Sequence, residues 1–263
     1  MTTDFLNGLT DITRSAGELA LQHQRSLGQL TVESKGRQDF VTQADREVER
    51  FIVGRIRAEF PNDGVLGEEG ARQPSASGRL WIIDPIDGTH NFIRGMPHWG
   101  VSVGVLSHGR PLAAAIYLPA MGWMLSAASG LGARFNGVAL PKPATTVDVV
   151  AFTAAGPLLD TDSHRWLTTL VRDELQGSER RLGSATAALA AVALGHGDVY
   201  VALDDHIWDV CAASVIFEEC GRTHSLNWDA VQTSERMVYV GGSAEVVNKV
   251  RSVMARRADH LGL

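Results

Sequence analysis

Stacked layers of helix and sheet, an α/β (α+β) arrangement, are the fold class that this sequence predicts. Three observations point there. Residues 3–27 carry apolar side chains at helical spacing, with Phe5, Leu9, Ile12, Ala16, Leu19, Ala20 and His23 on one side. Three apolar stretches, 100–106, 112–118 and 123–127, follow one another with only short breaks, as in a meander. Beyond residue 143 strand-like and helix-like patterns alternate. A helix stripe and a sheet face each need a cover, so strands followed by alternation imply layers packed on one another.

In chain order, the first helix gives way to a polar loop at Lys35-Gly36-Arg37-Gln38-Asp39. Thr42 followed by Asp45 resembles a capping box, and Val48, Phe51, Ile52 and Ile56 form the buried stripe of a second helix. Pro61-Asn62-Asp63-Gly64 is a turn and Val65-Leu66-Gly67 a short strand. Residues 72–78 make a polar loop of small residues, for which mobility is expected. Leu80 to Ile83 is apolar enough for a buried strand, and Pro85, with no N–H to give a sheet, should end it. After the meander, 133–135 followed by Asn136-Gly137 predicts a strand and a hairpin turn. Pro141-Lys142-Pro143 divides one domain into two packed halves, 1–143 and 144–263. The second half then reads as strand 147–152, helices 163–175 and 184–194, strand 198–203, helix 208–220, strand 237–240 and helix 244–254.

Composition narrows the function. A chain of 263 residues can bury a large core. Its net charge of -6 argues against a nucleic-acid partner, whose phosphates want a basic face. It leaves room for a small phosphorylated ligand if cations are recruited. No apolar run approaches the roughly 20 residues that span a bilayer, and Met-Thr-Thr-Asp lacks the basic and apolar segments of a secretion signal. Cys211 and Cys220 fall in an apolar helical pattern, where free buried thiols and a cytoplasmic location are expected.

The chemistry concentrates in Asp84-Pro85-Ile86-Asp87-Gly88-Thr89. Asp84 and Asp87 flank the break after a strand, where both side chains can swing toward one point. Gly88-Thr89 suits a tight turn into a helix N-terminus, with exposed N–H groups beside a hydroxyl. Two carboxylates, the Ile86 carbonyl and that hydroxyl make a place for hard cations and a phosphate. The same six residues also make a good surface turn, and at this level both readings stand. Glu68-Glu69-Gly70 is a second acidic pair after a strand. Asp209 opens a helix, either as a plain dipole-countering aspartate or as a further ligand. Gly183-Ser184-Ala185-Thr186 opens another, as an ordinary cap or as the floor of a pocket. His90, His98, His206 and His224 lack His-x-x-x-His spacing, which argues against a transition-metal site.

Four stretches carry a resemblance. They are Asp39-Phe40-Val41-Thr42-Gln43-Ala44-Asp45, Gly67-Glu68-Glu69, Trp81 through Phe92, and Trp208 through Ala213 with Glu219-Cys220-Gly221. They stand in the order and rough spacing of the inositol monophosphatase family, magnesium-dependent and lithium-sensitive phosphatases, and the chain is similar to it over nearly its whole length. One departure is that the last motif, which normally ends in an Ala-Gly-Gly-like turn, reads Cys220-Gly221-Arg222. The resemblance implies a five-layered α-β-α-β-α sandwich, shared with sugar bisphosphatases, and a homodimer.

It further implies magnesium ligands at Glu68, Asp84, Asp87 and Asp209 and at the main-chain carbonyl of Ile86. Two or three Mg²⁺ would offset carboxylates that could not otherwise all stay ionised. Glu68 and Thr89 resemble the pair that positions and deprotonates the attacking water, and the Gly88 and Thr89 N–H groups would hold phosphate oxygens. Ser184 and Ala185 would line the substrate pocket. Lys35 and Asp45 match outer positions of the family site. The implied reaction is hydrolysis of a small polyol phosphate such as inositol 1-phosphate. Histidinol-phosphate phosphatase is the alternative within the family, and a cation-binding or interaction protein without turnover is the alternative outside it. Family members usually carry a substrate-binding glutamate seven residues before the motif aspartate; counting back from Asp209 lands on Ala202. Asp204 or Asp205 could take its place, where a carboxylate would suit an ammonium-bearing substrate, or both could simply solvate a surface turn.

Overall fold

The computed structural model describes residues 3–26, 32–36, 39–142, 148–156, 159–230 and 236–256; for 32–36 and 39–42 it describes the backbone alone. Five layers stack in the order helix, sheet, helix, sheet, helix. Helices α1 (Thr3–Arg25) and α2 (Gln43–Glu59) form the first layer. The second is an eight-stranded sheet built from β3 (Gly64–Gly67), β4 (Arg72–Gln73), β5 (Arg79–Asp87), β6 (Gly100–Ser107), β7 (Arg110–Leu118), β8 (Trp123–Ala128), β9 (Gly132–Phe135) and β10 (Val138–Ala139). Its order is β10-β9-β8-β7-β6-β5-β3-β4. Helices α5 (Ala185–Ala193) and α6 (Ile207–Cys220) form the middle layer. The fourth layer is a five-stranded sheet of β11 (Val150–Ala154), β12 (Ser178–Arg180), β13 (Val199–Asp205), β14 (Thr223–His224) and β15 (Met237–Gly242), in the order β12-β11-β13-β15-β14. Helices α4 (Thr161–Thr169) and α7 (Ala244–Ala255) close the outside.

The sheet's period of two explains the layering. On β5, Trp81 and Ile83 point into a core with Leu9, Ile12, Val48 and Ile52 of α1 and α2. Ile82 between them points the other way, into a core with Leu189, Val210 and Phe217 of α5 and α6. A third core joins Ala151, Val199 and Val201 to Trp166, Leu167, Val247 and Val250. Helix α6 lies so close to the eight-stranded sheet that a Cβ on Gly104 would stand 2.6 Å from Cys211 Sγ. The Asn136-Gly137 turn forms as expected, with φ of 48° and 83° in the left-handed region between β9 and β10. Among the described residues, no helix is long and apolar enough to cross a membrane.

Three local expectations need correction. Lys35 and Gly36 end strand β1 (Val32–Gly36) and Asp39 starts its antiparallel partner β2 (Asp39–Thr42), so β-formers such as Val32, Phe40 and Val41 outweigh the polar residues. Residues 37–38, the Lys35 side chain and the Thr42 side chain lie outside what is described. Pro85 does not end its strand. β5 continues to Asp87, pairing Asp84 with Ser102 and Asp87 with Gly100, and the irregularity between those pairs absorbs the missing N–H. The 72–78 segment is tied down. Ala76 N and Ser77 N donate to Asn62 O at 2.9 and 3.0 Å. The fully buried Asp63 carboxylate accepts from Ser77 Oγ, Arg79 Nε and Trp81 Nε1 at 2.6–2.9 Å. Burial pushes Asp63 up, but these three bonds outweigh it and hold its carboxyl below the usual range.

Candidate active site

Three carboxylates reach one point. Asp84 and Asp87 come from the bulged end of β5 and Asp209 from the first turn of α6, and one oxygen of each lies within 4.8 Å of the others. The bulge matters because a regular strand would send residues an odd number apart to opposite faces. Gly88 follows at φ 85°, and a Cβ there would meet Ser184 Cβ at 2.8 Å and His98 O at 3.0 Å, so only glycine fits the turn into helix α3 (Thr89–Ile93).

Each carboxylate is held by backbone or hydroxyl donors. Asp84 Oδ1 accepts from Ile86 N at 3.1 Å. Asp87 Oδ2 accepts from Ser184 Oγ at 2.6 Å and from Thr186 N. Asp209 Oδ2 accepts from His206 N at 2.6 Å, closing the capping box of α6. Thr89 Oγ1 lies 3.1 Å from both Asp45 Oδ1 and the Ile86 carbonyl oxygen. Asp45 itself is fully buried on α2. Glu68 follows β3, whose Gly67 pairs in parallel with Ile83 of β5, and Glu68 N donates to Ile83 O at 3.1 Å. That pairing sets Glu68 beside Asp84, close enough for the two side chains to hydrogen-bond.

The charges do not balance without help. Asp84 is 1 % exposed; burial and then repulsion from Glu68, Asp87 and Asp209 push its carboxyl well above the usual range. Asp209 is raised in the same way by burial, Asp205 and Asp87. Asp87 is also raised by burial, against the opposing bonds from Ser184 and Thr186. Burial carries Asp205 up to about 7, opposed by its bond from Tyr200 and helped by Asp87 and Asp204. A set of hard oxygens with no nitrogen or sulfur donor among the three clustered residues, all resisting ionisation together, suits a hard divalent cation such as Mg²⁺.

A cavity of about 320 Å³ adjoins the cluster, walled by Asp87, Ser184, Ala185, Asp204, Asp205 and Asp209. Ser184 caps α5, accepting from Ala187 N at 3.0 Å while donating to Asp87. The two acidic wall residues are not a bare surface turn. Asp204 forms an ion pair with Arg236 and curls over Gly156, where a Cβ would have to displace its carboxylate. Asp205 is 8 % exposed and accepts from Tyr200 OH at 2.9 Å. Ala202 is fully buried in the core between the sheets. The structure therefore brings together Glu68, Asp84, Ile86, Asp87, Thr89, Asp209 and Asp45, and places Ser184, Ala185, Asp204 and Asp205 at the adjoining cavity.

Glu49 also belongs to the surroundings of the site, although no motif in the sequence marks it. This residue is 5 % exposed on α2, one turn after Asp45. Its Oε2 accepts from Glu69 N and its Oε1 from Ala71 N, both at 2.9 Å. Burial raises its carboxyl, against those two bonds. The available signal was an acid set inside the apolar stripe of Val48 and Ile52, four residues from Asp45.

Residues 2–256 match the profile of the inositol monophosphatase family. The chain is 32% identical to the inositol-1-monophosphatase of Rhizobium meliloti, over 95% of this chain and 96% of that one. It is 36% identical to the histidinol-phosphatase of Chlorobaculum parvum, over 78% and 83% respectively. In three dimensions it is similar to the extragenic suppressor protein suhB of Bartonella henselae, with TM-score 0.85 and 28% identity over 96% of this chain and 98% of that one.

Proposed function

The chain belongs to the inositol monophosphatase family, whose members are phosphatases, and from that premise we propose a Mg²⁺-dependent phosphomonoesterase acting on a small polyol phosphate of the inositol 1-phosphate kind. The observation that carries the reading is the convergence of Asp84, Asp87 and Asp209 beside a cavity of about 320 Å³. Glu68, Asp84, Asp87, Asp209 and the Ile86 carbonyl would hold the magnesium. Bound there, it would offset the carboxylate charge and polarise the phosphate and its attacking water.

The chain's own residues supply the rest. Asp45 draws the Thr89 hydroxyl proton, which leaves the Thr89 lone pairs to accept from a water and aim it. Glu68 takes the proton that the water releases. The Gly88 and Thr89 N–H groups at the start of α3 hold phosphate oxygens. Ser184 keeps Asp87 in place, and the remaining wall receives the alcohol. As the water oxygen bonds to phosphorus, the bond from phosphorus to the alcohol oxygen breaks; that oxygen takes a proton from solvent, Glu68 returns its proton to solvent, and the products are inorganic phosphate and that alcohol.

A second reading is favoured by the acidic wall. An ammonium-bearing substrate such as histidinol phosphate would meet the Asp205 carboxylate, whereas Asp204 is already engaged by Arg236. Phosphate release from inositol 1-phosphate, histidinol phosphate and glycerol 2-phosphate, with and without Mg²⁺, tests both. Greatest kcat/KM on inositol 1-phosphate, little changed in Asp205→Ala, is the expected result. A preference for histidinol phosphate that Asp205→Ala removes establishes the second reading. No release from any of the three at saturating Mg²⁺ overturns both and leaves a cation-binding protein without turnover.

A further inference from the structure

We propose that Glu49 is a positioning residue for Glu68, so that α2 sets the placement of Glu68 through Glu49 as it holds Thr89 through Asp45. The inference rests on the role given to Glu68 above. A carboxylate 5 % exposed inside a helix stripe is costly unless its oxygens are used. Both are used, and both on the same object: Oε2 on Glu69 N and Oε1 on Ala71 N, at 2.9 Å each. Those N–H groups belong to the turn that carries Glu68 away from β3. The turn's other backbone ties are Gly67 N to Ala71 O at 2.8 Å and Glu68 N to Ile83 O at 3.1 Å. Glu49 therefore grips the turn from the side facing α2, while β5 grips it from the side facing Asp84.

Gly67 supplies a second, independent sign. A Cβ on Gly67 would run into Glu49 Oε2, so the strand end is stripped of its side chain where the carboxylate passes. Asp45 and Glu49 stand four residues apart, on one face of a regular helix. One rigid element thus touches both groups that the proposed reaction uses to aim and deprotonate water: the Thr89 hydroxyl directly, and Glu68 through its turn. Fixing two reacting groups to one helix fixes their separation, and an error of about 1 Å there can cost 10²-fold in rate.

The test is a double-mutant cycle on the full chain with Glu49→Gln and Glu68→Gln, measured by phosphate release. Glu49→Gln keeps the side-chain volume but leaves one acceptor for two donors. It is expected to lower kcat by about 10–100-fold, the usual range for outer partners of a metal site. KM for the phosphate ester should stay within about threefold, since substrate binding is not touched. In the Glu68→Gln background, adding Glu49→Gln should change kcat by less than about twofold, because there is no longer a carboxylate to misplace. An equal loss in both backgrounds overturns the positioning role and leaves Glu49 as a fold residue. Full activity of Glu68→Gln alone overturns the role of Glu68, and the positioning role with it. Should Glu49→Gln fail to fold, Gly67→Ala displaces the same oxygen without removing the carboxylate and goes through the same cycle.

Discussion

Ser184 Oγ stands 2.6 Å from Asp87 Oδ2 and 3.0 Å from Ala187 N. One hydroxyl thus ties the end of β5 in the eight-stranded sheet to the first turn of α5, residues 97 apart in the chain. Donating to the carboxylate and accepting from the helix, it uses both faces of its oxygen.

Ser184→Ala breaks both bonds. The lost cap alone costs about 1 kcal/mol of stability, and Asp87 loses one of the donors that hold its carboxylate toward the cluster. A lower urea midpoint together with a higher Mg²⁺ concentration for half-maximal phosphate release is the expected outcome. If only the midpoint moved, Ser184 would be a helix cap with no part in placing Asp87.

Asp84→Asn separates stability from activity. Asp84 is almost fully buried and is pressed by Glu68, Asp87 and Asp209. Removing its charge relieves that repulsion, so the metal-free protein should gain about 1 kcal/mol or more. The same change removes a proposed magnesium ligand, and turnover should fall by more than about 100-fold. Calorimetry in EDTA and a phosphate-release assay check the two halves. A destabilised, still active variant would contradict both.

Stability against pH should have an unusual slope without metal. The unfolded carboxylates ionise near about 4, while Asp84, Asp87 and Asp209 are raised in the fold and Asp205 reaches about 7. Between those limits the native state holds more protons than the unfolded chain, so stability falls as pH rises. Asp63 and His224 oppose this: the contribution of Asp63 is lost only as pH falls below its unfolded value, and His224, which burial lowers, opposes the trend only below the ordinary histidine value, one group against four carboxylates. Urea unfolding in EDTA from pH 5 to 8 should therefore show decreasing stability, and saturating Mg²⁺ should flatten the trend by taking the place of the protons. Rising stability over that range in EDTA would mean that the carboxylates are not strained by one another.

The parts of the site legible in the sequence are those made locally. Asp84, Asp87, Gly88 and Thr89 sit within six residues, and their turn chemistry names the place where a strand meets a helix. The layers were legible too, because apolar spacing records which faces are covered. What escaped depends on partners far along the chain. Proline at 85 looked like a strand end because a bulge cannot be inferred without the pairing strand that accommodates it. Residues 72–78 looked mobile because Asp63, their anchor, looked like a turn residue; Arg79 and Trp81, which complete its bonds, gave no sign of reaching back to it, Trp81 reading only as strand. Asp204 offered itself as a free acceptor, and the cation that engages it, Arg236, lies 32 residues on. Edge strands of two or three residues, such as β12 and β14, are too short to show a period.

The close approach of Gly104 to Cys211 has a consequence for how opening of the molecule can be followed. Cys211 is wholly enclosed, Cys220 is 4 % exposed, and burial raises both thiols, so neither offers a thiolate to a reagent while α6 stays docked. The two cysteines sit on the helix that also carries Asp209. Alkylation of the native protein therefore clocks the local unfolding of α6, the event that carries Asp209 away from Asp84 and Asp87. Addition of Mg²⁺, by holding those three together, should slow that clock.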